Sequence, residues 1–361
     1  MSTVLFPTRR VAGALAALAL ATLGLSACSD SSADTGSDGS SDSSSGEGVE
    51  LRLGYFPNLT HAPGIVGIQK GFFDEALSGV DATVKAQEFN SGTDTIEAIV
   101  TDNLDITYIG PSPALTGYAA DPDKVRIIAG ATSGGAALVT TPEIGSVQDL
   151  KGKTIATPSL GNTQDVAARY YLSEQGFQTT AEGGGDVSLL PQDNSVTVQT
   201  YEQGEIDGAW VPEPYASILE QAGGKVLLDE AELWDGGEFV TTHVLINATF
   251  LEENPDVVEA FLTGHVESID YLNGNSDTAR DEVADFLAEA SGSALKPEVL
   301  ASAWDRLTFL NDPLAETLAQ NAEHAQAVEL LPPIDDVTGI YDLDPLNAVL
   351  EEAGQEPVST S

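Results

Sequence analysis

The chain of 361 residues contains one cysteine, Cys28, and few basic residues, 14 Lys and Arg against 57 Asp and Glu. A single thiol excludes an internal disulfide and any metal site built from several thiolates. The formal net charge of -43 argues against nucleic acid as a partner, because phosphate backbones need clustered cations and none are clustered here. The four histidines, His61, His243, His265 and His324, lack ligand-like spacing, so no metal is expected. No phosphate loop of the Walker type and no Gly-x-Ser-x-Gly elbow occurs. Hydrophobic content of 42% and charged content of 20% nevertheless describe a globular protein with a sizeable core.

What is present begins with a basic pair, Arg9 and Arg10, ahead of an apolar stretch over residues 11–25. The stretch falls short of the roughly 20 apolar residues that a span needs. With "LSAC" after it, the anatomy is that of a secretory signal over 1–27, and the box is similar to the bacterial lipoprotein processing site. Cys28 is therefore the expected lipidation point, anchoring the chain to the outer face of the cell membrane. Residues 29–48, "SDSSADTGSDGSSDSSSGEG", cannot bury a core and read as a flexible tether.

From residue 49 onward strand patterns alternate with helix patterns: "VELRLGYF", "DATVKAQEF", "LDITYIG" and "KVRIIAGAT", then "KTIATP", "DVSLLP", "IDGAWV" and "KVLLDE". Single helices between strands predict an α/β architecture with mostly parallel sheets. The tail from Pro255 reads as helical, broken at Pro297, Pro313 and Pro332. An internal echo links "LDITYIGPSPA" with "IDGAWVPEPYA". It implies two similarly built lobes, each offering a strand end and a helix start to one cleft.

Four separated stretches, "LGYFPNLTHAPGIVGIQKGFF", "FNSGTDTIEAIVTDNLDITYIGPSPA", "IATPSLGNTQDVAARYYL" and "IDGAWVPEPYA", together resemble the nitrate/sulfonate/taurine family of ABC-importer substrate-binding proteins. The resemblance implies a type II periplasmic-binding fold, with two α/β lobes joined by two crossing segments near residues 132–138 and 238–245. Lobe I would comprise 49–134 and 240–361, and lobe II 135–239. The implied role is capture of a small oxyanion or zwitterion, of aliphatic sulfonate, taurine or nitrate type. The implied partners are that ligand, an ABC permease and its ATPase, and the membrane through the lipid. A monomer without cofactor is expected.

Polar residues at helix starts supply the candidate ligand contacts: Asn58 and His61 in "PNLTHAP", Ser112 in "IGPSPA", Ser133 in "TSGG", Asn162 and Thr163 in "SLGNTQD". Thr60 reads equally as cap or contact, while Asn90, Ser91 and Gly92 read as capping. Trp210 is expected to wall the cleft, and Glu213 in "VPEP" to meet a cationic end of the ligand. His243 reads as structural. Hydrolases of aromatic sulfinates share the implied fold but use a catalytic cysteine, and Cys28 is committed elsewhere, so no enzyme is expected. Two alternatives keep the fold: a receptor for thiamine-pyrimidine precursors, and a sensor domain that signals ligand occupancy.

Overall fold

The computed structural model describes residues 48–360. The signal, Cys28 and nearly all of the tether lie outside the described residues. Eleven strands run in chain order: β1 (Val49–Tyr55), β2 (Ala82–Glu88), β3 (Ile106–Ile109), β4 (Val125–Gly134), β5 (Ala136–Thr140), β6 (Thr154–Thr157), β7 (Ser188–Pro191), β8 (Gly208–Pro212), β9 (Lys225–Asp229), β10 (Val240–Asn247) and β11 (Leu307–Phe309). They form two sheets, ordered β11-β4-β10-β3-β1-β2 and β7-β6-β8-β5-β9. The central strands are continuous buried runs, "ITYI" in β3 and "GAWVP" in β8, as expected where helices cover both faces.

The two sheets share one plan. Leaving out β11, β2-β1-β3-β10-β4 matches β7-β6-β8-β5-β9 strand for strand. The echoed segments contain β3 and β8, which occupy the same place in their sheets. The sheets are mixed, however, not mostly parallel. β1, β2 and β3 are parallel, as are β6, β7 and β8, but β10 runs antiparallel to β3 and β4, and β5 to β8 and β9. The cause is the crossover. β5 and β10 are the first strands after the chain changes sheets, and each enters its new sheet against the local direction.

The first crossing is the pair Gly134 and Gly135, at φ of 79° and 74°. Side chains are strained in that region. A Cβ on Gly134 would also fall 2.4 Å from the Arg306 carbonyl oxygen. The return crossing is complete by Val240, since β10 is paired with β4 from its first residue; it lies earlier than the expected 238–245. The crossings are tied together, Phe239 N–H donating to Ser133 Oγ at 3.2 Å and Gly134 N–H to the Phe239 carbonyl at 3.1 Å.

The helical tail returns to the first sheet. Val258, Phe261 and Leu262 of the helix Pro255–Gly274 join its core with Leu51, Leu53 and Ile65. The tail also contains β11, which the sequence patterns did not reveal. Just before it, Arg306 reaches into the second lobe, 2.6 Å from Glu213 Oε1 and 2.7 Å from Glu220 Oε2. Glu213 is fully buried and also accepts the Ser217 N–H at 3.0 Å. Burial pushes its carboxyl up, opposed by the Arg306 guanidinium. Glu213 therefore serves an internal ion pair between the lobes.

Arg306→Ala strands that carboxylate in a buried site and is expected to lower unfolding free energy by about 3–5 kcal/mol. Glu213→Gln leaves Arg306 its contact with Glu220, so a smaller loss of about 1.5–3 kcal/mol is expected. Urea denaturation of both variants reads the order, and a larger loss for Glu213→Gln contradicts this account.

Candidate functional site

Between the sheets lies a cavity of about 50 Å³, bordered by the C-terminal ends of β1, β2, β3, β6, β7 and β8. One water needs about 10–15 Å³ on the same scale, so the space suits a compact group of a few heavy atoms. Five helices begin at its wall: Ala62–Lys70, Gly92–Val100, Pro111–Ala120, Thr163–Glu174 and Asn194–Glu202. His61, Gly92, Gly110, Asn162, Thr163 and Asn194 are their first or capping residues, and all line the cavity. Each start carries partial positive charge from its aligned peptide dipoles, although Pro111 and Pro113 lack N–H groups and Asn162 Oδ1 already takes the Asp165 N–H. Converging on one space, they favour an anion.

The lining holds no Asp, Glu, Lys or Arg. Its polar groups are neutral, and their bonds to one another decide which atoms remain to donate. Thr60 Oγ1 donates to Asn58 Oδ1 at 2.7 Å, which leaves the Asn58 amide hydrogens for the cavity. The Phe56 N–H donates to His61 Nδ1 at 3.2 Å, so the single imidazole proton sits on Nε2. Burial pulls the His61 pKa down to about 3 and keeps the ring neutral. Phe56 stacks on that ring at 4.6 Å and holds its plane.

On the facing lobe, Asn162 Oδ1 accepts the Asp165 N–H at 2.9 Å, while Asn162 Nδ2 donates to Gln164 Oε1 at 3.1 Å. The Gln164 amide hydrogens are thereby turned outward as donors. Asp165 pins the loop before this helix, accepting from Thr157 Oγ1 and the Gly161 N–H, with Arg169 Nε at 2.8 Å. The lobes meet at Gly110, where a Cβ would lie 2.5 Å from Thr163 Oγ1. Only glycine permits that approach.

Of the expected contacts, Asn58, His61, Asn162 and Thr163 come together in this lining. Four others do not. Ser112 Oγ is buried in the first turn of its helix, without a hydrogen-bond partner and away from the lining. Ser133 is spent on the crossing. Trp210 lies in the core of the second lobe, its Nε1–H donating to Glu230 Oε2 at 2.7 Å. Glu213 is held by Arg306, so it cannot greet the cationic end of a ligand.

Sequence reasoning missed Gln164, Asn194 and Thr241 and read Asn90 as a cap, yet all four line the cavity. Asn194 escaped because its helix begins at Asn194, four residues ahead of the apolar pattern "VQTYEQG". The Pro-Gln-Asp-Asn run, from the last residue of β7 to the helix start, is the signal that could have found it. His243 Nε2 donates to the Pro313 carbonyl at 2.9 Å inside the core. Among the described residues, no group of three or more His, Cys, Asp or Glu is placed to hold a metal.

Two lobes of one plan, two crossings and a polar cavity between strand ends define the periplasmic-binding fold. The chain belongs to the NMT1-like family, whose pattern matches residues 44–288. It is similar to a Bacillus subtilis (strain 168) protein provisionally named for binding aliphatic sulfonates, 25% identical over 309 residues, covering 84% of this chain and 89% of that one. It is also similar to the taurine-binding periplasmic protein of Escherichia coli K12, 28% identical over 214 residues, 58% of this chain and 65% of that one. Among solved structures, the alkanesulfonate-binding protein SsuA from Xanthomonas axonopodis pv. citri, bound to MOPS, superposes with a TM-score of 0.68. The identity there is 17%, covering 83% of this chain and the whole of the other.

A neutral donor set has a testable signature. His61 would titrate only near pH 3, far below its usual value, so it stays neutral across the ordinary working range. Anion affinity by isothermal titration should be flat from about pH 5.5 to 8.5. A drop through about pH 6.5 would mean that a cationic His61 holds the ligand.

Proposed function

We propose that this chain is the substrate-binding component of an ABC importer and captures a small organosulfonate in the cleft between its lobes. The observation that carries this reading is the uncharged cavity ringed by five helix starts. Such a site holds a sulfonate head by N–H and amide dipoles without a counter-charge. Named relatives that bind sulfonates and taurine support the same class. Beside the cavity, and sharing Gly92 and Pro113 with it, is an apolar space of about 260 Å³ walled by Ile96, Leu160 and Leu330. It suits a short alkyl tail, which nitrate lacks.

A second reading has its own observation. A polar space of about 110 Å³ shares Phe56, Asn58, Asn90 and Asn194 with the cavity and includes Asp193 and Tyr215. Asp193 there takes the part once given to Glu213, facing the ammonium of a zwitterion such as taurine.

The reading extends to the rest of the chain. Residues 1–27 are the signal, Cys28 the lipidated residue and 28–48 the tether. Lobe I is 49–134 with 240–361 and lobe II 135–239, supported by sheet membership. The protein works as a monomer on the outer face of the membrane, handing its ligand to a permease and ATPase, and it binds without catalysing.

Isothermal titration with methane- to pentanesulfonate, taurine and nitrate tests the ligand class. Each methylene buried in the apolar space should tighten binding by up to about fourfold, following ~0.8 kcal/mol per CH₂. Leu160→Ser should flatten that series. Asp193→Asn should weaken taurine about tenfold and spare ethanesulfonate if the second reading holds. Tight nitrate binding with no dependence on tail length would sink the organosulfonate reading.

Anchoring should rest on one sulfur. Cys28→Ala is expected to leave unprocessed precursor or protein shed into the medium, since the acyl chains supply the anchor. Membrane fractionation with fatty-acid labelling checks it; labelled, membrane-bound Cys28→Ala would refute it.

A further inference from the structure

A second cavity, of about 280 Å³, lies apart from the cleft already described. One wall is the C-terminal part of the helix Thr163–Glu174, with Tyr170 and Tyr171, and another is the return crossing, with Glu230 and Trp234. The third is the tail helix Ala315–Ala327 of the first lobe, through Gln320 and His324. The cavity is therefore complete only while both lobes are together.

Its chemistry is unlike that of the main cleft. Tyr170 and His324 stack at 3.7 Å with 15° between their planes, and Trp234 tilts against His324 at 5.6 Å. Burial pulls the His324 pKa down to about 4, so this ring is neutral and presents an electron-rich face. Glu230 is 1% exposed and is braced by the Trp210 indole at 2.7 Å. The Trp234 indole N–H faces the same carboxyl but is buried without a well-formed hydrogen bond. Burial pushes Glu230 up to about 7, against the help of both indoles. No lysine or arginine lines the space, and Glu174 stands beside it.

A buried carboxylate among aromatic faces, with no cation to satisfy it, is a setting for a positive guest. We propose that this cavity is a second ligand site, for a small organic ammonium ion, formed by Tyr170, Tyr171, Glu230, Trp234 and His324. The cation sits against the ring faces, and its charge answers Glu230. Because both lobes contribute walls, an occupant binds the closed arrangement better than an open one and shifts the balance toward closure. The helix Thr163–Glu174 joins the two cavities physically, its first turn lining the main cleft and its last turns this one.

The test titrates the folded protein with choline and tetramethylammonium at about pH 8, where Glu230 is ionised. A control ligand is choline's neutral isostere, in which a quaternary carbon replaces the nitrogen. The expected result is saturable choline binding, with the isostere at least about tenfold weaker. Glu230→Gln and Tyr170→Leu should each weaken choline about tenfold, whereas His61→Ala in the main cleft should not. Tyr170 is half-buried, so its variant remains decisive if Glu230→Gln unfolds. Absence of saturable binding, equal binding of the isostere, or loss of choline in His61→Ala would each overturn the proposal.

Discussion

The whole arrangement depends on helix starts that cannot satisfy their own N–H groups. An isolated helix terminus turns these groups to water; here five are turned inward, toward one space without a charged side chain. That requires parallel strands whose C-terminal ends share a side, with helices following at once, and it requires two such sheets facing each other. Doubling one plan meets the requirement. The chain switches sheets at Gly134–Gly135 and returns before Val240, so each crossing lays a strand, β5 or β10, against the direction of its new sheet; β11 adds a second such strand to the first sheet. The reversed direction of β5 and β10 is thus the geometric consequence of the two crossings.

The proposed anion site does not conflict with an acidic chain at this scale. The acids are spread over the surface, where salt screens them beyond about 8 Å. Inside the cleft, fixed dipoles act over single hydrogen-bond lengths among buried side chains, and there they win. His61 shows the same economy. A charged imidazole would attract an anion more strongly, but burial and the Phe56 amide on Nδ1 keep the ring neutral and aim one proton from Nε2. A small dipole in a fixed direction reads shape and orientation better than a mobile charge does.

Local signals carried most of what the sequence disclosed. Strand and helix periodicity, the proline and glycine punctuation and the echo between β3 and β8 all act within about a dozen residues, and they announced two matched α/β lobes. Asn58, His61, Asn162 and Thr163 were legible because each sits at a strand-to-helix junction, which its neighbours reveal. Glu213 sits at such a junction too, but its partner Arg306 is 93 positions away, and nothing local announces it. Trp210 failed for a similar reason: its indole is claimed by Glu230, on the return crossing. Ser112 shows a further limit. Its position in the helix was read correctly, but its hydroxyl is buried outside the lining of the cavity.

The contacts between the lobes divide into two kinds, and the division bears on how binding and closing are linked. Glu213 with Arg306, and Phe239 with Ser133, lie next to the crossings, where the two lobes are joined covalently in any case. They fix a hinge and are compatible with the lobes swinging about it. Gly110 against Thr163, and Tyr170 against His324, lie away from the hinge and exist only when the lobes meet. The first is a backbone approach with little apolar area; the second is one stacked pair, worth about 0.5–1.5 kcal/mol. Val166 of the second lobe also joins a buried cluster with Ala114, Leu115 and Leu318 of the first, so the distal contact is a small apolar patch, and a guest that touches both lobes adds directly to it. In the proposed importer, binding energy in the cleft is converted into closure, which its permease can read as shape.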